Sequence, residues 1–227
     1  LIEVKNLYKK YNFITANNDI SFKIDDGEFV VILGASGAGK STLLNILGGI
    51  EVATSGSVLI DGEDITKYNN KKLTMYRRNI VGFVFQFYNL IPNLTALENV
   101  KLAYDLVEGG IEPVKALSLV GLEKRENNFP YELSGGEQQR VSIARAISKN
   151  PKILLCDEPT GALDYNTGKQ VLKLLEKICS ETKTTVILIT HNQEIAKIAD
   201  KIIEISDSKV KSININEKKL SVDEIEW

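Results

Sequence analysis

The chain has 227 residues, with 28 Lys and Arg against 30 Asp and Glu and a formal net charge of -2. A chain of this length fits one domain, or one domain with a subdomain, and buries about 70–75% of its unfolded surface without a metal or disulfide staple. The near-balance of charge excludes a global pull toward nucleic acid or an anionic membrane, so no nucleic-acid partner is expected and only local patches remain.

The chain opens at Leu1 without the charged segment and cleavage site of a leader. Ile2, Val4 and Leu7 alternate loosely with polar residues, and Ser21, Phe22, Lys23 and Ile24 alternate more clearly, as in short strands with one buried face. Between them lie Tyr8, Lys9, Lys10 and Tyr11. An aromatic here could stack on a nucleotide base, although the segment taken alone reads better as surface tyrosines beside a turn.

Phe29, Val30, Val31, Ile32 and Leu33 form a continuous apolar, β-rich run, as expected of a buried parallel strand. Gly34, Ala35, Ser36, Gly37, Ala38, Gly39, Lys40, Ser41 and Thr42 follow, and they match the G-x-x-x-x-G-K-[ST] pattern of a phosphate-binding loop. The next apolar run predicts a helix that starts near Lys40 and ends at Gly48 and Gly49. Such a strand, loop and helix aim backbone N–H groups and the positive end of a helix dipole at one anionic ligand, which a triphosphate satisfies. Lys40 is placed to reach the β and γ phosphates and the Ser41 hydroxyl to ligate Mg²⁺. A glycine-rich turn without a ligand would not require the full motif in this context.

Val58, Leu59 and Ile60 read as a strand with Asp61 and Gly62 as its turn, and residues 70–78 are helical in composition. The apolar run from Ile80 to Phe85 predicts a strand that ends at Gln86. A polar residue at the C-terminal end of a buried strand stands where ligands sit in open α/β sheets, and by itself is also an ordinary polar exit. Residues 87–150 read as a helical insertion, with one helix beginning near Pro113 and stopping at Gly121. Its downstream end carries Leu133, Ser134, Gly135, Gly136, Glu137 and Gln138, where Ser134 and Glu137 have the spacing of a capping box. A structural cap and a functional role are compatible here.

Residues 153–159 read as a buried strand ending in Asp157 and Glu158. Strand alternation predicts opposite faces for these two carboxylates, one for a metal through its water shell and one for an attacking water. Burying two carboxylates for packing alone would be costly. Residues 167–179 predict an amphipathic helix with Val171, Leu174, Leu175 and Ile178 on one side. Residues 185–189 predict another central strand, ending at Thr190 and His191, the only histidine. A lone histidine more often satisfies a local hydrogen bond than does chemistry, but this one falls on the edge where the other motifs lie. Residues 201–205 are expected to close the sheet, and Val210, Ile213 and Ile215 alternate as an edge strand does. No role is assigned to the residues beyond, through Trp227.

Cys156 and Cys179 lie in apolar segments without metal-ligand spacing, as buried thiols of a reducing compartment do. No apolar stretch reaches the roughly 20 residues that span a bilayer, so a soluble chain is expected, with any membrane span supplied by another polypeptide. No long repeat or low-complexity tract is evident.

In this order, the loop of residues 34–42, Gln86, Leu133 to Gln138, Asp157 and Glu158, the run Gly161, Ala162, Leu163 and Asp164, and His191 resemble the nucleotide-binding subunit of an ATP-binding-cassette transporter. The likeness extends from Ile2 to about Val210, and the Leu-Ser-Gly-Gly-Glu segment is its most specific element. It implies an α/β fold of the P-loop NTPase, RecA-like kind: a mostly parallel sheet, an antiparallel β subdomain and a helical signature-motif subdomain. The implied division is a core of residues 1–86 and 151–205, a helical subdomain of 87–150 and a tail of 206–227, within a single ATPase domain.

The same resemblance implies a role for each matching residue. Tyr11 stacks on adenine; residues 34–42 wrap the phosphates; Ser41 and Gln86 ligate Mg²⁺; Asp157 holds the metal. Glu158 is the general base and His191 contacts the γ-phosphate, while Asp164 lies in a loop between two active sites. Ser134, Gly135, Gly136 and Glu137 face ATP bound to a second copy, so the implied partner is a head-to-tail homodimer formed with ATP.

Residues 77–86, with Asn89 to Pro92 and Leu97 to Val100, are similar to lipoprotein-release, macrolide-efflux and antimicrobial-peptide transporters. These implied relatives pair with an FtsX-type permease carrying a large extracytoplasmic domain, which would dock between Phe87 and Val100 and hold the chain on the cytoplasmic face of the membrane. A cell-division ATPase that regulates wall hydrolysis is the alternative output. A soluble cassette of DNA repair or iron–sulfur assembly is disfavoured, since the gap from Gln86 to Ser134 is short for a coiled-coil or zinc insertion. Two departures stand out: Ser208 replaces an expected glycine in the turn after the last core strand, and the tail is longer than the minimal form. Neither is expected to touch catalysis.

Overall fold

The computed structural model describes residues 1–226; Trp227 lies outside the described residues. Two sheets carry the fold. The smaller is antiparallel, in the order β2 (Ile14–Ile24), β1 (Ile2–Tyr11), β4 (Ser55–Ile60) and β5 (Glu63–Asp64). The larger runs β10 (Lys209–Ile215), β9 (Lys201–Ser206), β3 (Phe29–Leu33), β8 (Thr185–Thr190), β7 (Ile153–Asp157) and β6 (Val81–Val84). All of its pairs are parallel except the one between β9 and β10.

The central strands are apolar throughout because both faces are covered, as parallel sheets require. Successive residues divide between two cores. Val30, Ile32, Leu155 and Ile187 face α1 (Lys40–Leu47) and the antiparallel sheet. Phe29, Val31, Leu154 and Val186 face the helices α3 (Ala96–Tyr104), α4 (Pro113–Leu119), α5 (Gly135–Ile147) and α6 (Tyr165–Thr182). The remaining helices are α2 (Asn70–Asn79), before β6, and the short α7 (Gln193–Ala196), between β8 and β9. No helix among the described residues is long and apolar enough to cross a membrane. Cys156 and Cys179 are buried free thiols, and burial pushes both above the usual thiol value, Cys179 to about 11.

Caps place the helix ends. Asn69 accepts from the Lys72 N–H to start α2, and Thr95 with Glu98 forms a capping box on α3. Asp164 accepts from the Thr167 N–H, so α6 begins two residues before the apolar pattern does, and it ends where Lys183 turns left-handed at φ 57°.

One expectation about the strands needs correction. Tyr8, Lys9, Lys10 and Tyr11 do not lie between two short strands but continue β1 up to the expected turn, paired as Lys9 with Asn17, Lys10 with Thr15 and Tyr11 with Ile14. Ladder hydrogen bonds belong to the backbone, so a polar stretch continues the strand and the turn falls at Asn12, φ 47°. Residues 201–205 lie in β9, and the alternation at Val210, Ile213 and Ile215 is the expected edge strand, β10, which pairs antiparallel with β9. The residues after β10 form a strap: Val222 and Ile225 are buried in the helical core, the Tyr165 hydroxyl donates to the Ile225 carbonyl at 3.2 Å, and Lys173 pairs with Asp223 at 2.6 Å.

Because Ile225 is fully buried against α6, Ile225→Ala is expected to cost about 2–4 kcal/mol in urea denaturation, whereas the exposed Ile215→Ala costs less than about 0.5.

Candidate active site

The parallel strands β3, β7 and β8 end on one edge of the sheet, and a cavity of about 560 Å³ opens there. Its lining includes Ser36, Gly37, Gly39, Lys40, Ser41, Thr42, Gln86, Asp157, Glu158 and His191. Four separate segments, from residues 36 to 191, therefore meet at one place. Gly34 and Ala35 turn their carbonyls to Lys40 Nζ, at 2.7 and 2.9 Å, and Ala38 is buried beneath the loop. Gly37 and Gly39 have φ of 80° and 94°, conformations that L side chains rarely adopt.

Charge is concentrated on the cavity floor. Ser41 Oγ donates to Asp157 Oδ1 at 3.3 Å. Burial raises the Asp157 carboxyl above the usual range and nearby Glu158 adds to the rise, while the Ser41 hydrogen bond and Lys40 oppose it. Burial lowers the Lys40 ammonium, with Glu158 and Asp157 opposing. His191 Nδ1 lies 3.0 Å from Glu158 Oε1, with the imidazole largely exposed and the carboxylate mostly covered.

The expected separation of Asp157 and Glu158 by strand alternation is corrected. β7 stops at Asp157, and Glu158 takes φ 46°, outside the strand conformation. That left-handed residue swings its side chain back, so both carboxylates line the same cavity. The Glu158 N–H is kept by the Ile189 carbonyl at 3.1 Å and its carbonyl accepts from Gly161 N–H at 3.0 Å, which makes the turn a hydrogen-bonded one.

Other expected residues lie off the cavity. Tyr11 does not line it; Lys9 Nζ sits 4.7 Å from its ring centroid, and burial and a hydrogen bond to Glu51 raise its phenol above the usual value while Thr42 lowers it. Ser134, Gly135, Gly136, Glu137 and Asp164 belong to the helical layer of the same chain. There Ser134 and Glu137 form the expected capping box, and Gly136 packs so close to Thr167 that a Cβ would lie 2.1 Å from its Cγ2. Asp164 caps α6.

Sequence reasoning missed one wall. Ile14, Thr15 and Ala16 of β2 line the cavity, as does Ser208, which corrects the expectation that the departure at Ser208 leaves the site untouched. The only signal in the chain was the missing glycine itself: Ser208 has φ 64°.

A sequence profile of the ABC transporter family matches residues 17–161. The chain belongs to the ABC transporter family. Within that family it is 44% identical over 222 residues to the uncharacterized ABC transporter ATP-binding protein MJ1508 of Methanocaldococcus jannaschii, covering 94% of this chain and 99% of that one. It is 43% identical over 234 residues to a putative ABC transporter ATP-binding protein of Mycoplasma pneumoniae, the homolog of MG065. The chain spans about half the length of that relative and of its Mycoplasma genitalium counterpart. Among solved structures, the ATP-binding cassette MJ0796 superposes with a TM-score of 0.88 at 40% identity over 96% of this chain and 100% of that chain, in a dimeric post-hydrolysis state bound to ADP and Pi. The ABC cassette fold, with its antiparallel sheet and helices around a mostly parallel sheet, is the fold expected from the resemblance.

Asp157 keeps a proton to higher pH when folded than unfolded, so its contribution to stability is present below its unfolded value and is lost as pH rises through the folded one. Asp157→Asn is therefore expected to raise the Tm of the nucleotide-free protein by about 2–4 °C at pH 7.5 and by less at pH 4, measured by scanning fluorimetry.

Proposed function

We propose that the chain binds and hydrolyses ATP as the ATP-binding subunit of an ABC transporter. The observation that carries this reading is the convergence of the phosphate loop, Gln86, Asp157, Glu158 and His191 on one cavity. Backbone N–H groups of the loop and the N-terminus of α1 receive the phosphates, and Lys40 exchanges its two carbonyl partners for the β and γ oxygens. Glu158 accepts a proton from the attacking water, and His191, already paired with it, orients that carboxylate toward the γ-phosphate. Tyr11, beside Thr42, supplies a face for the adenine.

Ser41, Gln86 and Asp157 offer oxygen donors on the cavity lining, a set that fits Mg²⁺. No cluster of three His, Cys, Asp or Glu is available among the described residues to cage a metal alone, so one carboxylate, a hydroxyl and an amide would share it with phosphate and water. Bound there, Mg²⁺ neutralises phosphate charge.

The working unit in this reading is two chains. Ser134, Gly135, Gly136, Glu137 and Asp164 do not line their own chain's cavity, and a second copy would bring them to it. The dimeric state of the MJ0796 cassette supports this arrangement. Phe87 and Ile91 leave apolar surface exposed beside Gln86, where a membrane permease would dock and hold the chain at the cytoplasmic face. Similarity to lipoprotein-release and macrolide-efflux ATPases makes export or extraction of a lipophilic, peptide or lipoprotein substrate the output.

Glu158→Gln is expected to lower ATP turnover by about 10²–10⁴-fold while keeping ATP affinity, and to form dimers with ATP in light scattering after size exclusion. Wild-type turnover in that variant would overturn the general-base assignment. Lys40→Ala is expected to weaken ATP binding itself by roughly 10–100-fold in calorimetry.

A further inference from the structure

Asn17 is a polar residue on β2 with no exposed surface. Its Nδ2 donates to the Gly39 carbonyl at 3.1 Å, the same carbonyl that accepts from Leu43 N–H at 3.0 Å as α1 begins. Its Oδ1 is buried and finds no protein donor among the described residues. A half-satisfied buried amide costs stability, and an apolar side chain of the same shape would not carry that cost. The hydrogen bond to Gly39 is thus kept at the expense of the fold.

The strand bearing Asn17 is fastened from its other side. The turn joining β9 to β10 places the Ser208 hydroxyl 2.8 Å from the Thr15 carbonyl, and the Asn18 N–H donates to the Ser208 carbonyl at 2.8 Å. Ser208 makes these contacts from a left-handed conformation that glycine would adopt without strain. Here too a locally costly residue is retained where its side chain fixes β2. The fit is tight: a Cβ on Gly39 would lie 2.0 Å from the Ala16 carbonyl.

We propose that Asn17 and Ser208 are positioning residues that clamp β2 between the β9–β10 turn and the phosphate loop, setting nucleotide affinity through the pose of Gly39. This rests on the reading of the cavity as a nucleotide site. The clamp acts on Gly39, on the start of α1 and on the wall formed by Thr15 and Ala16, and Lys40, the first residue of α1, reaches the β phosphate that ATP and ADP share. Both ATP and ADP therefore depend on it.

The test uses the full chain, with fluorescent ATP and ADP analogues for affinity and scanning fluorimetry for Tm. Asn17→Leu is expected to raise the dissociation constants of both nucleotides by about three- to tenfold, the effect of one lost hydrogen bond, while Tm stays level or rises. If Asn17→Leu does not fold, Ser208→Gly decides, with the same opposite movement of affinity and Tm expected. The proposal is overturned if a folded variant binds both nucleotides within twofold of wild type, if affinity falls only in step with Tm, or if ATP alone is weakened. A wild-type chain that binds neither nucleotide would overturn the functional reading and this proposal together; wild-type binding with an unaffected variant would overturn the clamp alone.

Discussion

The phosphate loop is wedged between two sheets, and the rest of the structure depends on that fit. A Cβ on Gly34 would lie 2.3 Å from the Ile205 carbonyl of β9, and one on Gly39 would lie 2.0 Å from the Ala16 carbonyl of β2. Backbone thus presses on backbone at both ends of the loop, with no flexible side chain to yield. The core arrangement follows from this contact: β3 must deliver the loop at the sheet edge, β9 must flank it on one side, and the antiparallel sheet must close over it on the other.

The same wedge sets the electrostatics. Holding the loop among apolar strands takes Lys40 and Asp157 partly out of water, which disfavours the charged form of each. Their mutual attraction offsets part of that cost, as does the Ser41 hydrogen bond. A site with an under-solvated ammonium and an under-solvated carboxylate is suited to a polyanion that arrives with a cation, because each then gains an opposite charge. On the proposed reading, a nucleotide and its cation offset the desolvation of both groups.

Around this site the helical layer is joined by close side-chain packing rather than by backbone against backbone. A Cβ on Gly161 would lie 2.9 Å from Gln86 Nε2, one on Gly135 2.8 Å from the Tyr88 hydroxyl, and one on Gly136 2.1 Å from Thr167. Arg145 of α5 donates to the carbonyls of Tyr88 and Asn89 at 2.9 and 2.6 Å. The segment after Gln86, the start of α5 and the start of α6 are therefore packed together. The C-terminal strap adds to this by holding the first turns of α6 through Tyr165, Lys169 and Lys173.

Local order settled much of this protein in the sequence. The phosphate loop, the runs of β3, β7 and β8, and the capping box at Ser134 each depend on neighbours a few residues away, so periodicity, glycine placement and side-chain caps specify them. What required the tertiary structure was every feature made by residues far apart in the chain. The shared orientation of Asp157 and Glu158 depends on one left-handed residue that alternation does not reveal. The extension of β1 through Tyr11 depends on backbone pairing with β2, and the burial of Ile225 depends on a helix sixty residues earlier. The wall of Thr15, Ala16 and Ser208 joins positions nearly two hundred residues apart, and in a linear pattern a serine in a turn carries no mark of the strand it will meet.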